Sequence, residues 1–148
     1  MAVALLDTNV LLALAWPNHL HHEAAHEWLA RRRGQPWATC LLTELAFVRL
    51  SSQPAVVKTT ITTAEAWQLL DVNLGAENHE FWPLEGGMSD LLPELRQRVM
   101  GHHQLADAVL LNLAIRRNGQ LATFDRRVEN LLPPGSDHRR ALEILTVE

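Results

Sequence analysis

The stretch QLADAVLLNLAIRRNGQLATFD, residues 104–125, decides how this chain folds. From Gln104 to Arg117 the apolar residues Leu105, Ala108, Val109, Leu111, Leu113 and Ala114 recur at helical spacing. Asn112 is the only polar residue between Ala108 and Ile115. An apolar face that broad belongs to a helix with most of its surface buried. Asn118-Gly119 stops it, and Gln120 to Phe124 is a strand that runs straight into Asp125.

The same alternation extends outward. Ala2 to Leu6 is a short apolar strand ending at Asp7, followed by a helix from Val10 to Trp16 with Thr8 or Asn9 as its cap. That helix stops ahead of Pro17, because the residue before proline avoids helical angles. A second helix, Leu20 to Arg33, sets Leu20, Ala24, Ala25, Trp28 and Leu29 at helical spacing and ends at Gly34. Pro36 to Leu41 is a buried strand, and a helix opens at Leu42 or Thr43. The segment from Ser51 to Pro54 breaks it. Thr63 to Leu74 is amphipathic, with Ala66, Trp67, Leu70 and Leu74 inward. His79 to Leu84 carries a proline and so belongs at a sheet edge. A short helix lies within Leu91 to Met100, and Leu142 to Val147 supplies a last strand. Strands alternating with helices predict one α/β domain over residues 1–148, three layers (α/β/α) around a central, mostly parallel sheet.

Composition excludes several alternatives. With 148 residues, 47% hydrophobic and 20% charged, the chain has an ordinary globular balance and no low-complexity segment. The apolar run from Val10 to Trp16 is far short of the roughly 20 residues that cross a bilayer. The single cysteine, Cys40, has no internal disulfide partner, so a reducing cytoplasmic setting is expected. Net charge is −4, yet the positive charge comes in arginine runs: Arg31-Arg32-Arg33, Arg116-Arg117, Arg126-Arg127 and Arg139-Arg140. Arginine suits bidentate phosphate contact, although such pairs also serve simply to solvate a helix face.

Four acids carry the chemistry. Asp7 and Asp125 each stand just past the C-terminal end of a strand, where open parallel sheets bind ligands. Glu44 and Asp107 fall in first turns of helices, which point back toward that edge. Carboxylates gathered there repel one another by roughly 4 kcal/mol per pair at about 4 Å and an effective dielectric of about 20. They are therefore either partly protonated or held by a cation. Oxygen donors without cysteine favour Mg²⁺ or Mn²⁺ over zinc. The plainer account is that Asp7 and Asp125 cap helices while Glu44 and Asp107 complement helix N-termini. Asp107 resists it most, because Leu105, Ala106, Ala108, Val109 and Leu110 around it are all apolar.

On the segments Leu6-Asp7-Thr8-Asn9-Val10-Leu11-Leu12, Thr43-Glu44-Leu45 with Val48-Arg49, His103-Gln104-Leu105-Ala106-Asp107-Ala108 and Leu121-Ala122-Thr123-Phe124-Asp125-Arg126, the chain resembles the VapC-type toxins of the PIN-domain family. The resemblance implies a ribonuclease toxin that uses Mg²⁺, with Mn²⁺ able to substitute, usually homodimeric and silenced by a small cognate antitoxin. It implies metal-ligand roles for Asp7 and Asp107, with Glu44 and Asp125 completing the set directly or through water. Thr8, Asn9 and Thr123 match positions that orient the acids or the attacking water. Arg49 and Arg126 are candidates for RNA phosphate contacts or for pairing with the acids. The segment from Ser51 to Leu95 carries no motif and leaves the RNA target open.

Two other functions compete. His22-Glu23-Ala24-Ala25-His26 fits the H-E-x-x-H pattern of zinc peptidases, two histidines one helical turn apart around a glutamate base, with Glu44 as a nominal third ligand. Eight histidines in the chain make a chance match easy, and the pattern leaves Asp7, Asp107 and Asp125 unexplained. The other alternative is a PIN-like binding module without catalysis, against which the four acids argue.

Overall fold

The computed structural model describes residues 2–147. Five strands, β1 (Ala4–Leu6), β2 (Trp37–Thr39), β3 (His79–Phe81), β4 (Gln120–Thr123) and β5 (Leu142–Ile144), form one sheet in the order β3-β2-β1-β4-β5. Every neighbouring pair is parallel, so all five C-terminal ends open on one edge. β1 sits at the centre, with Leu5 opposite Ala38 on one side and Leu121 on the other. β3 is an edge strand, as Pro83 requires, and it stops two residues before the proline.

The pleat separates two cores. Leu5 and Leu121 face α6 (Pro93–Arg96) and α7 (Leu105–Arg116), packing with Leu95, Leu110, Leu111 and Leu113. Ala4, Leu6 and Ala122 face the opposite way, toward α1 (Thr8–Ala15), α2 (His22–Arg31), α3 (Leu41–Ser51) and α5 (Thr63–Leu74). The result is the α/β/α layering expected from the alternation. Leu5 and Leu111 are wholly buried, and truncating either to alanine would cost about 2–5 kcal/mol. Among the described residues, no helix is long and apolar enough to cross a membrane.

The turn from α7 into β4 explains the Asn-Gly stop. Asn118 takes the left-handed conformation (φ 54°), and the Gly119 N–H donates to the Ala114 carbonyl at 2.9 Å. A Cβ on Gly119 would stand 2.7 Å from the Val3 carbonyl oxygen and 2.6 Å from the Trp82 ring, so only glycine fits.

Several local expectations are corrected. Asp7, rather than Thr8 or Asn9, is the N-cap of α1. α2 begins at His22, which leaves Leu20 in the preceding turn and 85% exposed. The stretch read as a break after Ser51 contains a further short helix, α4 (Pro54–Val57), with Pro54 in its first turn, where a missing N–H costs nothing. Trp67 points out, 61% exposed. The buried stripe of α5 runs through Ala66 and Leu70, with Leu69 and Leu74 half-buried beside it, and Trp67 lies one residue, about 100°, away from Ala66. Leu105 is likewise 43% exposed at the start of α7.

Candidate functional site

The open edge of the sheet collects the acids. Asp7 follows β1 directly and is 8% exposed. Its Oδ1 accepts from the Thr8 backbone N–H at 2.7 Å, and its Oδ2 accepts from the Thr123 hydroxyl, also at 2.7 Å. Thr123, wholly buried at the end of β4, accepts in turn from Asn9 Nδ2 at 3.1 Å and from the Asp125 backbone N–H at 3.0 Å. Asn9 Oδ1 closes the network by accepting from the Phe124 N–H at 3.3 Å. The strand ends of β1 and β4 are thus tied through one hydroxyl. Asn9 and Thr123 contribute side chains to this network, whereas Thr8 contributes its backbone.

Asp107 lies in the first turn of α7 and is partly buried. Burial, then the charges of Asp7 and Asp125, push its carboxyl up to about 6. Burial also pushes Asp7 above the ordinary carboxylate range, against the hydrogen bonds from Thr123 and Thr8, and Asp125 adds to the rise. Asp125 behaves in the opposite way. Hydrogen bonds from Arg127 hold its carboxyl low: Nε donates to Oδ1 and Nη2 to Oδ2, each at 3.0 Å, and the Arg127 backbone N–H adds a third at 3.0 Å. Asp7, Asp107 and Asp125 therefore share one electrostatic field, in which Arg127 acts on Asp107 and Asp125.

Glu44 has a different partner. It occupies the first turn of α3, and its Oε2 accepts from the Thr39 hydroxyl at 2.6 Å. Among the described residues, no three acids, histidines or cysteines already stand close enough to hold an ion between them, since Asp125 is turned to Arg127 and Glu44 to Thr39. The donor set nonetheless fits a hard divalent cation: it is all carboxylate oxygen, and the charges of Asp7 and Asp125 outweigh Arg127 in pushing the Asp107 carboxyl up. Sequence reasoning gave no role to Thr39 or His79 and named Arg127 only within an arginine run. It singled out Arg126, but the guanidinium on Asp125 belongs to the next residue. A threonine at the end of β2, matching Thr123 at the end of β4, was the available signal for Thr39.

The histidine motif on α2 has other duties. His22 Nδ1 donates to the Ala13 carbonyl at 2.7 Å, and His26 Nε2 donates to the Leu14 carbonyl at 2.8 Å. These are carbonyls in the last turn of α1, which lack helical partners. The other nitrogen of each ring is free, but among the described residues no third acid, histidine or cysteine completes a ligand set with them, so nothing beyond the spacing supports a zinc peptidase.

Comparison with known proteins bears on the same edge. The PIN domain family model matches residues 4–131, from β1 past β4, and this span includes Asp7, Glu44, Asp107 and Asp125. Ribonuclease VapC38 of Mycobacterium tuberculosis is 38% identical over 145 residues, 98% of this chain and 99% of that protein. The chain is a PIN-domain ribonuclease of the VapC kind. Ribonuclease VapC39 of the same organism is 40% identical over 127 residues, covering 82% of this chain and 88% of the relative. The fold of this VapC-type chain also matches a chain of the crystal structure of VapBC2 from Rickettsia felis bound to a DNA fragment from their promoter. The TM-score is 0.62 over 97% of this chain and 99% of that one, at 17% identity.

Proposed function

We propose that the chain is a metal-dependent endoribonuclease whose principal Mg²⁺ is held by Asp7 and Asp107, with Glu44 and Asp125 completing the site directly or through water. The observation that carries this reading is the meeting of Asp7, Asp107 and Asp125 at one sheet edge, near enough that the charges of Asp7 and Asp125 push the Asp107 carboxyl up. A divalent ion supplies Lewis acidity toward a phosphoryl oxygen and makes a bound water more acidic. The chain's own residues do the rest. Thr123 and the Thr8 N–H hold both oxygens of Asp7 in place, and Asn9 fixes Thr123. Arg127 is exposed at the rim, where it can exchange Asp125 for an RNA phosphate.

The 148 residues act as one unit in the cytoplasm. The Rickettsia felis neighbour is a VapBC2 assembly, and by extension this chain is a homodimeric toxin held by a small cognate antitoxin. Mn²⁺ substitutes for Mg²⁺. Cleavage is hydrolytic and leaves 5′-phosphate and 3′-hydroxyl ends. Sequencing cellular RNA ends after inducing the wild type beside Asp7→Ala tests this and also finds the target. EDTA stops the reaction and Mn²⁺ restores it. Ends bearing 2′,3′-cyclic phosphate, or cleavage indifferent to EDTA, would overturn the reading. Co-purification of a small protein encoded next to the chain tests the antitoxin.

A further inference from the structure

Thr39 ends β2 much as Thr123 ends β4, and both are wholly buried with their hydroxyls on an acid of the edge. Thr39 has a second partner. Its Oγ1 stands 2.7 Å from His79 Nε2 on the neighbouring strand β3. Chemistry sets the directions. An ionised carboxylate only accepts, so the one Thr39 proton goes to Glu44, and the bond to His79 must then use a proton on Nε2. The β2–β3 register places Trp37 opposite His79 and Thr39 opposite Phe81, so Thr39 and His79 meet diagonally across the sheet. His79 is itself braced by the Trp37 ring, 4.7 Å away between centroids, and the Trp37 indole N–H donates to Asn78 Oδ1 at 3.2 Å.

We propose that His79 is a positioning residue of the nuclease site, acting through the Thr39 hydroxyl to hold the Glu44 carboxylate in one orientation at the metal-binding edge. This inference rests on the metal-dependent reading above. Without the relay, Glu44 is a half-buried side chain in a first helical turn with several rotamers open to it, and each ion bound must first order it. Outer partners of this kind typically alter metal affinity about 10- to 100-fold when removed.

The test is Mn²⁺ binding to the full chain without RNA, measured by titration calorimetry, with thermal unfolding confirming that each variant is folded. Thr39→Val and His79→Leu should each weaken Mn²⁺ binding about 10-fold. The double variant should lose no more than either single one, because the two residues act in series. His79→Gln, whose amide N–H reaches toward Thr39, should recover most of the loss. A clamp that merely fastens β3 to β2 would lower thermal stability in His79→Leu without moving Mn²⁺ affinity, and that result overturns the proposal. Losses that multiply in the double variant overturn it as well. Should His79→Leu fail to fold, unchanged Mn²⁺ affinity in the near-isosteric Thr39→Val overturns the proposal, and a loss there that His79→Gln does not share supports it. Asp7→Asn is the control. If it abolishes Mn²⁺ binding while Thr39→Val and His79→Leu do not affect it, only this inference falls. If Asp7→Asn binds Mn²⁺ as the wild type does, the metal site itself is misassigned.

Discussion

Two regions of the chain look like metal sites in one dimension, and the structure treats them differently. The corner between α1 and α2 presents His22 and His26 one turn apart, each with one nitrogen on a carbonyl of α1, and among the described residues no third ligand joins them. The sheet edge gathers acids from the ends of β1 and β4 and the start of α7, spread from residue 7 to residue 125, and there the charges of Asp7 and Asp125 push the Asp107 carboxyl up despite Arg127. Spacing along a helix says which groups are near. What matters for metal binding is whether folding then gathers ligand charge from separate elements in one place.

The largest test of that contrast is Asp107→Asn. Removing this carboxylate should lower RNA cleavage at least ~10³-fold, equivalent to losing about 4 kcal/mol of transition-state stabilisation. Single-turnover cleavage of a defined RNA measures it, and activity within a few-fold of wild type would make the edge no more catalytic than the histidine corner.

The pH response should be next in size. Asp107 must ionise to bind a cation, so cleavage and Mn²⁺ affinity should both rise as pH passes upward through about 6. Stability of the metal-free protein should move the other way. Between the ordinary carboxylate value of 3.8 and about 6, the unfolded chain has released a proton that the folded chain keeps. Raising the pH across that window therefore destabilises the fold. Melting curves in EDTA from pH 4 to 7 should show this slope, and Asp107→Asn should reduce it, leaving the share that belongs to the raised Asp7 carboxyl.

Arg127→Ala sharpens the comparison within the edge. Arg127 lowers Asp107 and holds Asp125 low, so its loss should raise both carboxyl groups and shift the pH midpoint of Mn²⁺ binding upward. An unchanged midpoint would mean that the guanidinium does not act on the acids in solution. The smallest effect belongs to His26→Ala. Cleavage should be unaltered, with a stability loss of about 1 kcal/mol from the freed Leu14 carbonyl. A peptidase activity that needs zinc and vanishes in this variant would reverse the comparison.

Much of the architecture was legible because period and punctuation are local. The residues from Leu105 to Arg116 are helical in any setting that buries their broad apolar face, and Asn118-Gly119 ends them by backbone conformation alone. Pro83 placed β3 at an edge for an equally local reason, the missing N–H. Trp67 and Leu20 were misjudged because hydrophobicity does not say which side of a helix, or which side of its first residue, will meet the sheet. Arg127 had no role of its own beside Arg126 because the turn at Arg126–Leu131 decides which of two adjacent arginines curls back onto Asp125.

From the sequence alone came the α/β alternation, the four acids at element ends and their likeness to a nuclease family, since each depends on residue order and chemical type. Tertiary structure decided which hydroxyl meets which carboxylate: Thr123 on Asp7 and Thr39 between Glu44 and His79. It also decided which acids keep their charge. Strand register and burial set both outcomes, and they exist only after segments distant in the chain have packed together.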